Sequence, residues 1–178
     1  MNKQELRHEI RQAKMAHREE MERWSSRLCC EILKHPQWER AQCVLLYHAL
    51  PDEPQLSVLY EKALSAGKSL LLPVVVGDDL VLKRYEGAAS LQEGAFHIME
   101  PTGEIFPVER YAEIGLAIVP GMAFDKEAHR LGRGKGYYDR LLPRLSKTYK
   151  LGVCFPFQLL ERIPCEEHDV VMDEVLSL

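Results

Sequence analysis

The sequence lacks any run of ~18 uninterrupted apolar residues, the length needed to cross a bilayer, because Lys, Arg, Asp, Glu, Gly or Pro breaks every apolar stretch. A membrane partner is therefore not expected. The first residues, Met1-Asn2-Lys3-Gln4-Glu5-Leu6-Arg7, enter charged helical sequence with no apolar core and no small-residue cleavage site of the secretory kind, so the expected location is the cytoplasm. Cysteine is sparse, odd in number and partly adjacent (Cys29, Cys30, Cys43, Cys154, Cys165), which is unlike a disulfide framework. Without a C-x-x-C pair, structural zinc is not expected either, and most of these thiols read as packing residues. Charge of one sign is also missing: 23 basic against 27 acidic side chains leaves −4, which gives no global field for a nucleic acid. An anion site in such a chain has to be local.

What is present is enough for one domain over residues 1–178, burying roughly 70% of the unfolded chain's surface. Residues 3–34 read as one long helix or two successive ones, with Leu6, Ile10, Ala13 and His17, then Met21, Trp24, Leu28 and Ile32, recurring every three to four positions. Pro36 stops the pattern. Residues 43–50 form an apolar run of strand length closed by Pro51-Asp52-Glu53-Pro54, and 55–66 return to helical periodicity ending at Gly67. A second strand over 70–76 is separated by Gly77-Asp78-Asp79 from 80–85, as in a hairpin or tight connection. Residues 86–113 show weak periodicity and are expected to be loops with one short helical piece. A third buried strand over 114–119 is followed by about fifteen residues before a helix resumes near Tyr137, longer than the usual ~2–6 of a βα connection. Strands at 151–155 and 174–176 complete the reading. Apolar strands alternating with amphipathic helices predict a three-layer α/β/α sandwich with a largely parallel, Rossmann-like sheet. Ligands of such sheets sit beyond the strands' carboxyl ends, which makes 51–53 and 121–136 two rims of one cleft.

The densest chemical signal is Arg130-Leu131-Gly132-Arg133-Gly134-Lys135-Gly136-Tyr137-Tyr138-Asp139. Glycines at alternate positions let the backbone approach a ligand, while Arg130, Arg133 and Lys135 supply positive charge, a combination suited to a polyphosphate. A helix starting near Gly136 adds backbone N–H groups, and Asp139 in its first turn can hold a magnesium ion between phosphates. For an arbitrary Gly/Arg/Lys stretch a solvated loop is the commoner reading; the strict interleaving between a buried strand and an aromatic helix start favours the site. It is not a Walker A loop: the nearest lookalike, Gly67-Lys68-Ser69, has Lys62 at the first-glycine position and runs from helix to strand.

Together with Val119-Pro120-Gly121-Met122-Ala123-Phe124-Asp125-Lys126, this string closely resembles the signature of the 5-formyltetrahydrofolate cyclo-ligase family, and the likeness covers nearly the whole chain. It includes Lys3 and Arg7, the Asp52-Glu53 turn, and His168-Asp169 followed by Asp173-Glu174-Val175. The resemblance implies an enzyme taking 5-formyltetrahydrofolate and ATP with Mg²⁺. It places Lys3 and Arg7, four apart on one helix face, against ATP together with residues 130–138; composition alone reads them as a solvated face. It places Asp139 and Asp169 on the metal, Glu53, His48 and Tyr138 on the folate, and gives Lys135 and Arg133 the catalytic charge. Read from local sequence, Asp169 is a surface or capping carboxylate, Glu53 a turn residue, His48 a core histidine and Tyr137 a core aromatic. Two departures stand out: His129 where the family usually has Asn, and Pro54-Gln55 in place of the commoner Val or Ile followed by an acidic residue. A monomer is expected. The rival readings are a nucleotide- or RNA-binding module using the same loop, and a related ATP-using enzyme with a non-folate substrate.

Overall fold

The N-terminal periodicity resolves into two helices, α1 (Lys3–Ala16) and α2 (Met21–Lys34), in a computed structural model that describes residues 1–94, 97–166 and 169–178. His168 lies outside the described residues. Asn2 caps α1: its side chain accepts the Gln4 and Glu5 N–H groups at 2.9 Å, and the Glu5 carboxylate accepts the Asn2 N–H at 2.8 Å. This reciprocal box satisfies orphan donors at the helix start. Pro36 stops α2 and opens α3 (Pro36–Arg40), where the missing proline N–H costs nothing.

There follow β1 (Cys43–Leu45), α4 (Ser57–Ser65), β2 (Ser69–Val76) and β3 (Asp79–Arg84), then the short strands β4 (Leu91–Glu93) and β5 (Met99–Pro101). After β6 (Leu116–Val119) come β7 (Ala123–Asp125), β8 (Arg130–Leu131), α5 (Tyr137–Leu141), β9 (Tyr149–Val153), β10 (Leu159–Leu160) and β11 (Glu174–Leu176). Among the described residues the central sheet has the order β11-β9-β6-β1-β2-β3, parallel except for the β2–β3 hairpin. This is a mixed α/β fold on a mostly parallel sheet.

Strand side chains alternate between two cores. Val44, Leu70, Leu72, Leu116, Ile118, Leu151 and Val153 share one cluster with Ile32, Trp38, Leu59 and Ala63 of α2–α4. Cys43, Leu45, Leu71, Ala117 and Val119 share the other with Phe106, Tyr111, Leu141 and Leu145. Burial on both faces is why these strands read as continuous apolar runs. Each fully buried Leu, Ile or Val contributes about 1.5–3 kcal/mol. All five cysteines are free thiols; Cys29, Cys43 and Cys154 are buried, and burial pushes the first two up to about 11 and the third to about 12. Among the described residues no helix is long and apolar enough to cross a membrane.

Three expectations needed revision. The strand expected over 43–50 pairs only to Leu45, with one further rung from Leu46 N–H to Leu71 O at 3.0 Å. Beyond it, the buried Tyr47 hydroxyl donates to Pro54 O at 2.9 Å and the chain turns back on itself. The 86–113 segment carries the β4–β5 hairpin, and the long connection after β6 carries β7 and β8, which with β10 make a separate sheet of order β10-β7-β8. Strands of two or three residues are too short to show a period.

Candidate functional site

β1 and β6 are neighbours from which the chain departs to opposite sides, toward β2 and β3 in one direction and β9 and β11 in the other. A crevice is expected beyond the carboxyl ends of strands at such a switch point. A cleft of about 340 Å³ lies there, walled by Tyr47, His48, Leu50 and Glu53 after β1, by Pro120 and Gly121 after β6, and by the glycine-rich loop and α5. The hairpin side chains Pro73, Val75 and Leu80, with Ile98 and Glu100, close the far wall.

The two rims meet through Arg133. Its Nε donates to Glu53 Oε1 at 3.0 Å and its Nη2 to Asp52 Oδ1 at 2.5 Å. Glu53 is 8% exposed as a side chain, and its other oxygen accepts the Leu50 N–H at 3.0 Å. Burial works against the Arg133 cation, but Glu53 and Asp52 hold its pKa above the ordinary arginine value. Asp52 also accepts Lys14 Nζ at 3.0 Å; burial works against its charge, yet Lys14 and Arg133 hold it below the usual carboxylate range.

Arg130 is anchored differently. Its Nε donates to Pro120 O at 2.7 Å, its Nη1 to Asp139 at 3.2 Å, and its guanidinium lies 5.0 Å from the Tyr138 ring centroid. Burial lowers its pKa, opposed by Asp139, Glu53 and Asp169 among others, and an arginine this basic keeps its charge. Burial raises the Tyr138 phenol, so it remains a neutral hydroxyl. Burial likewise lowers His48, which makes it a neutral imidazole near pH 7.

The glycine loop is tied down from outside the cleft. Arg7 Nε of α1 donates to Gly132 O at 2.8 Å, and Arg140 Nη2 reaches Lys135 O at 3.2 Å and also the carbonyl of Asp78 in the β2–β3 turn. Gly136 precedes α5 at φ +75°, a left-handed conformation that glycine adopts without penalty. At the turn between β7 and β8, Asp125 is 1% exposed and accepts the N–H groups of Glu127, His129 and Ile163 at 2.9–3.0 Å. The His129 ring joins it at 3.1 Å, so the histidine that departs from the family pattern shapes this turn.

Most of the residues singled out in sequence thus converge. His48, Glu53, Arg130, Gly132, Arg133, Lys135, Gly136, Tyr137, Tyr138 and Asp139 all line the cleft. Tyr137 is half-buried under Arg140, on the cleft wall and not sealed in the core. Leu131 is buried in a cluster with Leu6 and Ile10, which leaves only its main chain for a ligand. Gly134 sits beside the Arg7 guanidinium, and Lys3 donates to Asp169 at 2.8 Å and Glu166 at 3.0 Å. Asp139 and Asp169 are not bonded to one another, but both act on Arg130. No group of three or more His, Cys, Asp or Glu able to hold a metal occurs among the described residues. Asp139 and Asp169 could each offer a carboxylate to a magnesium ion whose shell phosphate oxygens and water would complete. The sequence reading missed Lys14, although its spacing of seven from Arg7 puts it on the same face of α1. It also missed the apolar far wall, which only tertiary contact assembles.

The fold and cleft define an α/β protein with a cationic, tyrosine-walled site at the carboxyl ends of parallel strands. The sequence model described as the 5-formyltetrahydrofolate cyclo-ligase family matches residues 1–177. The chain is 32% identical to the 5-formyltetrahydrofolate cyclo-ligase of Mus musculus, over 98% of this chain and 92% of that one. It is 28% identical to that of Escherichia coli K12, over 89% and 90%. A solved structure of Aquifex aeolicus 5,10-methenyltetrahydrofolate synthetase superposes with a TM-score of 0.87 at 37% identity, covering 99% of this chain and 90% of that one. A Mycoplasma pneumoniae 5,10-methenyltetrahydrofolate synthetase, 22% identical, shares the fold with a TM-score of 0.78 over 98% of each chain. The chain belongs to the 5-formyltetrahydrofolate cyclo-ligase family and is an enzyme of that family.

Proposed function

We propose that this enzyme converts 5-formyltetrahydrofolate and ATP to 5,10-methenyltetrahydrofolate, ADP and phosphate. The family membership and the names of the relatives support the reaction; the observation that carries it on this chain is the Arg133 bridge from the glycine-basic loop to Glu53. One cation thereby links the surface suited to phosphates with the carboxylate suited to a pterin N–H edge. A formamide oxygen is a poor leaving group and needs activation. On this reading the formyl oxygen attacks the γ-phosphorus of ATP and ADP leaves. N10 of the folate then attacks the formyl carbon and loses its proton, and phosphate departs carrying the former formyl oxygen.

In phosphoryl transfer the protein supplies mainly position and charge. Lys135 and Arg133 are assigned to the charge that develops on the transferred group. Lys3, Arg7 and residues 130–138 are assigned to ATP; Arg130 is the buried anchor that keeps the loop in place. Glu53, His48 and Tyr138 are assigned to the folate: an acceptor carboxylate, a neutral imidazole and a neutral phenol able to stack. Magnesium, held by Asp139 and Asp169 with phosphate oxygens, would neutralise phosphate charge when bound. The same reading takes the chain as one cytoplasmic, monomeric domain over residues 1–178, a three-layer Rossmann-like sandwich with small-molecule substrates and neither nucleic-acid nor membrane partners.

The test is direct: protein, ATP, magnesium and 5-formyltetrahydrofolate are mixed and the absorbing methenyl product is followed alongside ADP. One ADP per methenyl group is expected. ATP binding with neither product would instead support a non-catalytic nucleotide module.

A further inference from the structure

A second charge pattern runs behind the cleft. Lys14 of α1 is 4% exposed, and its ammonium donates to Asp52 Oδ2 at 3.0 Å. Asp52 Oδ1 accepts Arg133 Nη2 at 2.5 Å, Arg133 Nε donates to Glu53 Oε1 at 3.0 Å, and Glu53 Oε2 accepts the Leu50 N–H at 3.0 Å. Cation, anion, cation and anion thus alternate from α1 through the 51–54 turn to the glycine loop. Lysine is almost never this buried unless paired. For folding alone an apolar pair at positions 14 and 52 would serve as well, since replacing both partners of a buried ion pair by packed apolar residues is often neutral or stabilising. The charge at position 14 therefore points to something it holds in place.

We infer that Lys14 is a positioning residue for the folate side of the site: acting through Asp52, it fixes Arg133 against Glu53 while touching no substrate itself. The inference rests on the reaction proposed above. Arg133 also belongs to the loop assigned to ATP and to the transferred group, so turnover is expected to fall as well. On substrate binding the effect falls mainly on the folate, because the rest of the glycine loop has anchors independent of Lys14: Arg7 on Gly132 O at 2.8 Å, Arg130 on Pro120 O at 2.7 Å and Arg140 on Lys135 O at 3.2 Å. Loss of Lys14 leaves those intact and frees the Asp52–Arg133–Glu53 end.

In Lys14→Met the KM for 5-formyltetrahydrofolate is expected to rise about tenfold, with the KM for ATP changed less than about twofold. Asp52→Asn should show the same split, and the double variant should be no worse than Asp52→Asn alone, because both act on one chain of contacts. The Nε–H NMR signal of Arg133, assigned by its loss in Arg133→Lys, should be protected from exchange in the substrate-free protein and lose that protection in Lys14→Met. An unchanged folate KM in folded Lys14→Met, a parallel rise of both KM values, or single effects that multiply in the double variant would each overturn the inference. If Lys14→Met does not fold, Asp52→Asn decides: without the split the inference fails. A wild-type protein inactive on the formyl folate would overturn the proposed reaction alone, and the NMR signal, which needs no substrate, would still decide the contact chain.

Discussion

Three backbone N–H groups and a histidine ring converge on Asp125, while Lys135 stands exposed on the cleft wall; the two residues mark the opposite ends of what a single side chain does here. Burial opposes the Asp125 charge, but the N–H groups of Ile163 and His129 and the His129 ring hold its carboxyl below the usual carboxylate range. A carboxyl lowered on folding stabilises the native state above its unfolded pKa of about 3.9, and that contribution is lost as pH falls through the lower folded value. Asp125→Asn should therefore cost about 1–3 kcal/mol at pH 7. Thermal unfolding followed from pH 7 down to about 3 should show the gap to wild type narrowing once pH drops below the unfolded carboxylate value. Lys135→Ala should do the reverse: turnover falls by about 100-fold or more while the melting temperature stays near wild type. Comparable losses of activity and stability would mark Lys135 as structural. In sequence the two looked alike, both being charged members of one motif; burial separates them.

At the scale of elements, the motif's spacing follows from α5 beginning directly after Gly136. The positive φ there aims the end of the loop into the cleft, and the Cβ of any other residue would lie 2.6 Å from Arg140 Nη1. Gly136→Ala should cost about 1–2 kcal/mol from the left-handed backbone alone. It should also dislodge Arg140 from Tyr137 and the hairpin turn, so a weaker ATP affinity by calorimetry is expected with a lowered melting temperature. α1 was legible as an amphipathic helix because its apolar residues recur at helical spacing. That Lys3, Arg7 and Lys14 work at three separate places along one face, on Asp169, Gly132 and Asp52, was not legible, since all three partners are distant in sequence.

At the scale of the whole molecule, the small β10-β7-β8 sheet is seated on the central one through Phe124, whose ring faces β9 at Gly152. A Cβ at position 152 would meet that ring at 2.5 Å, with no flexible chain end to give way. Gly152→Ala is expected to cost about 1–3 kcal/mol by overpacking, read as a lower urea midpoint at unchanged slope. Such a contact is invisible in sequence, because neither Gly152 nor the three-residue β7 carries a pattern. Chain order and apolar run length by themselves determined the buried strands, the helices between them and the identity of the cationic loop, since these follow from local periodicity and turn chemistry. Which charges are anchors and which face the cleft, where β1 leaves the sheet, and how Arg133 joins two rims eighty residues apart were decided only by tertiary structure. Burial and pairing depend on partners that no local window contains.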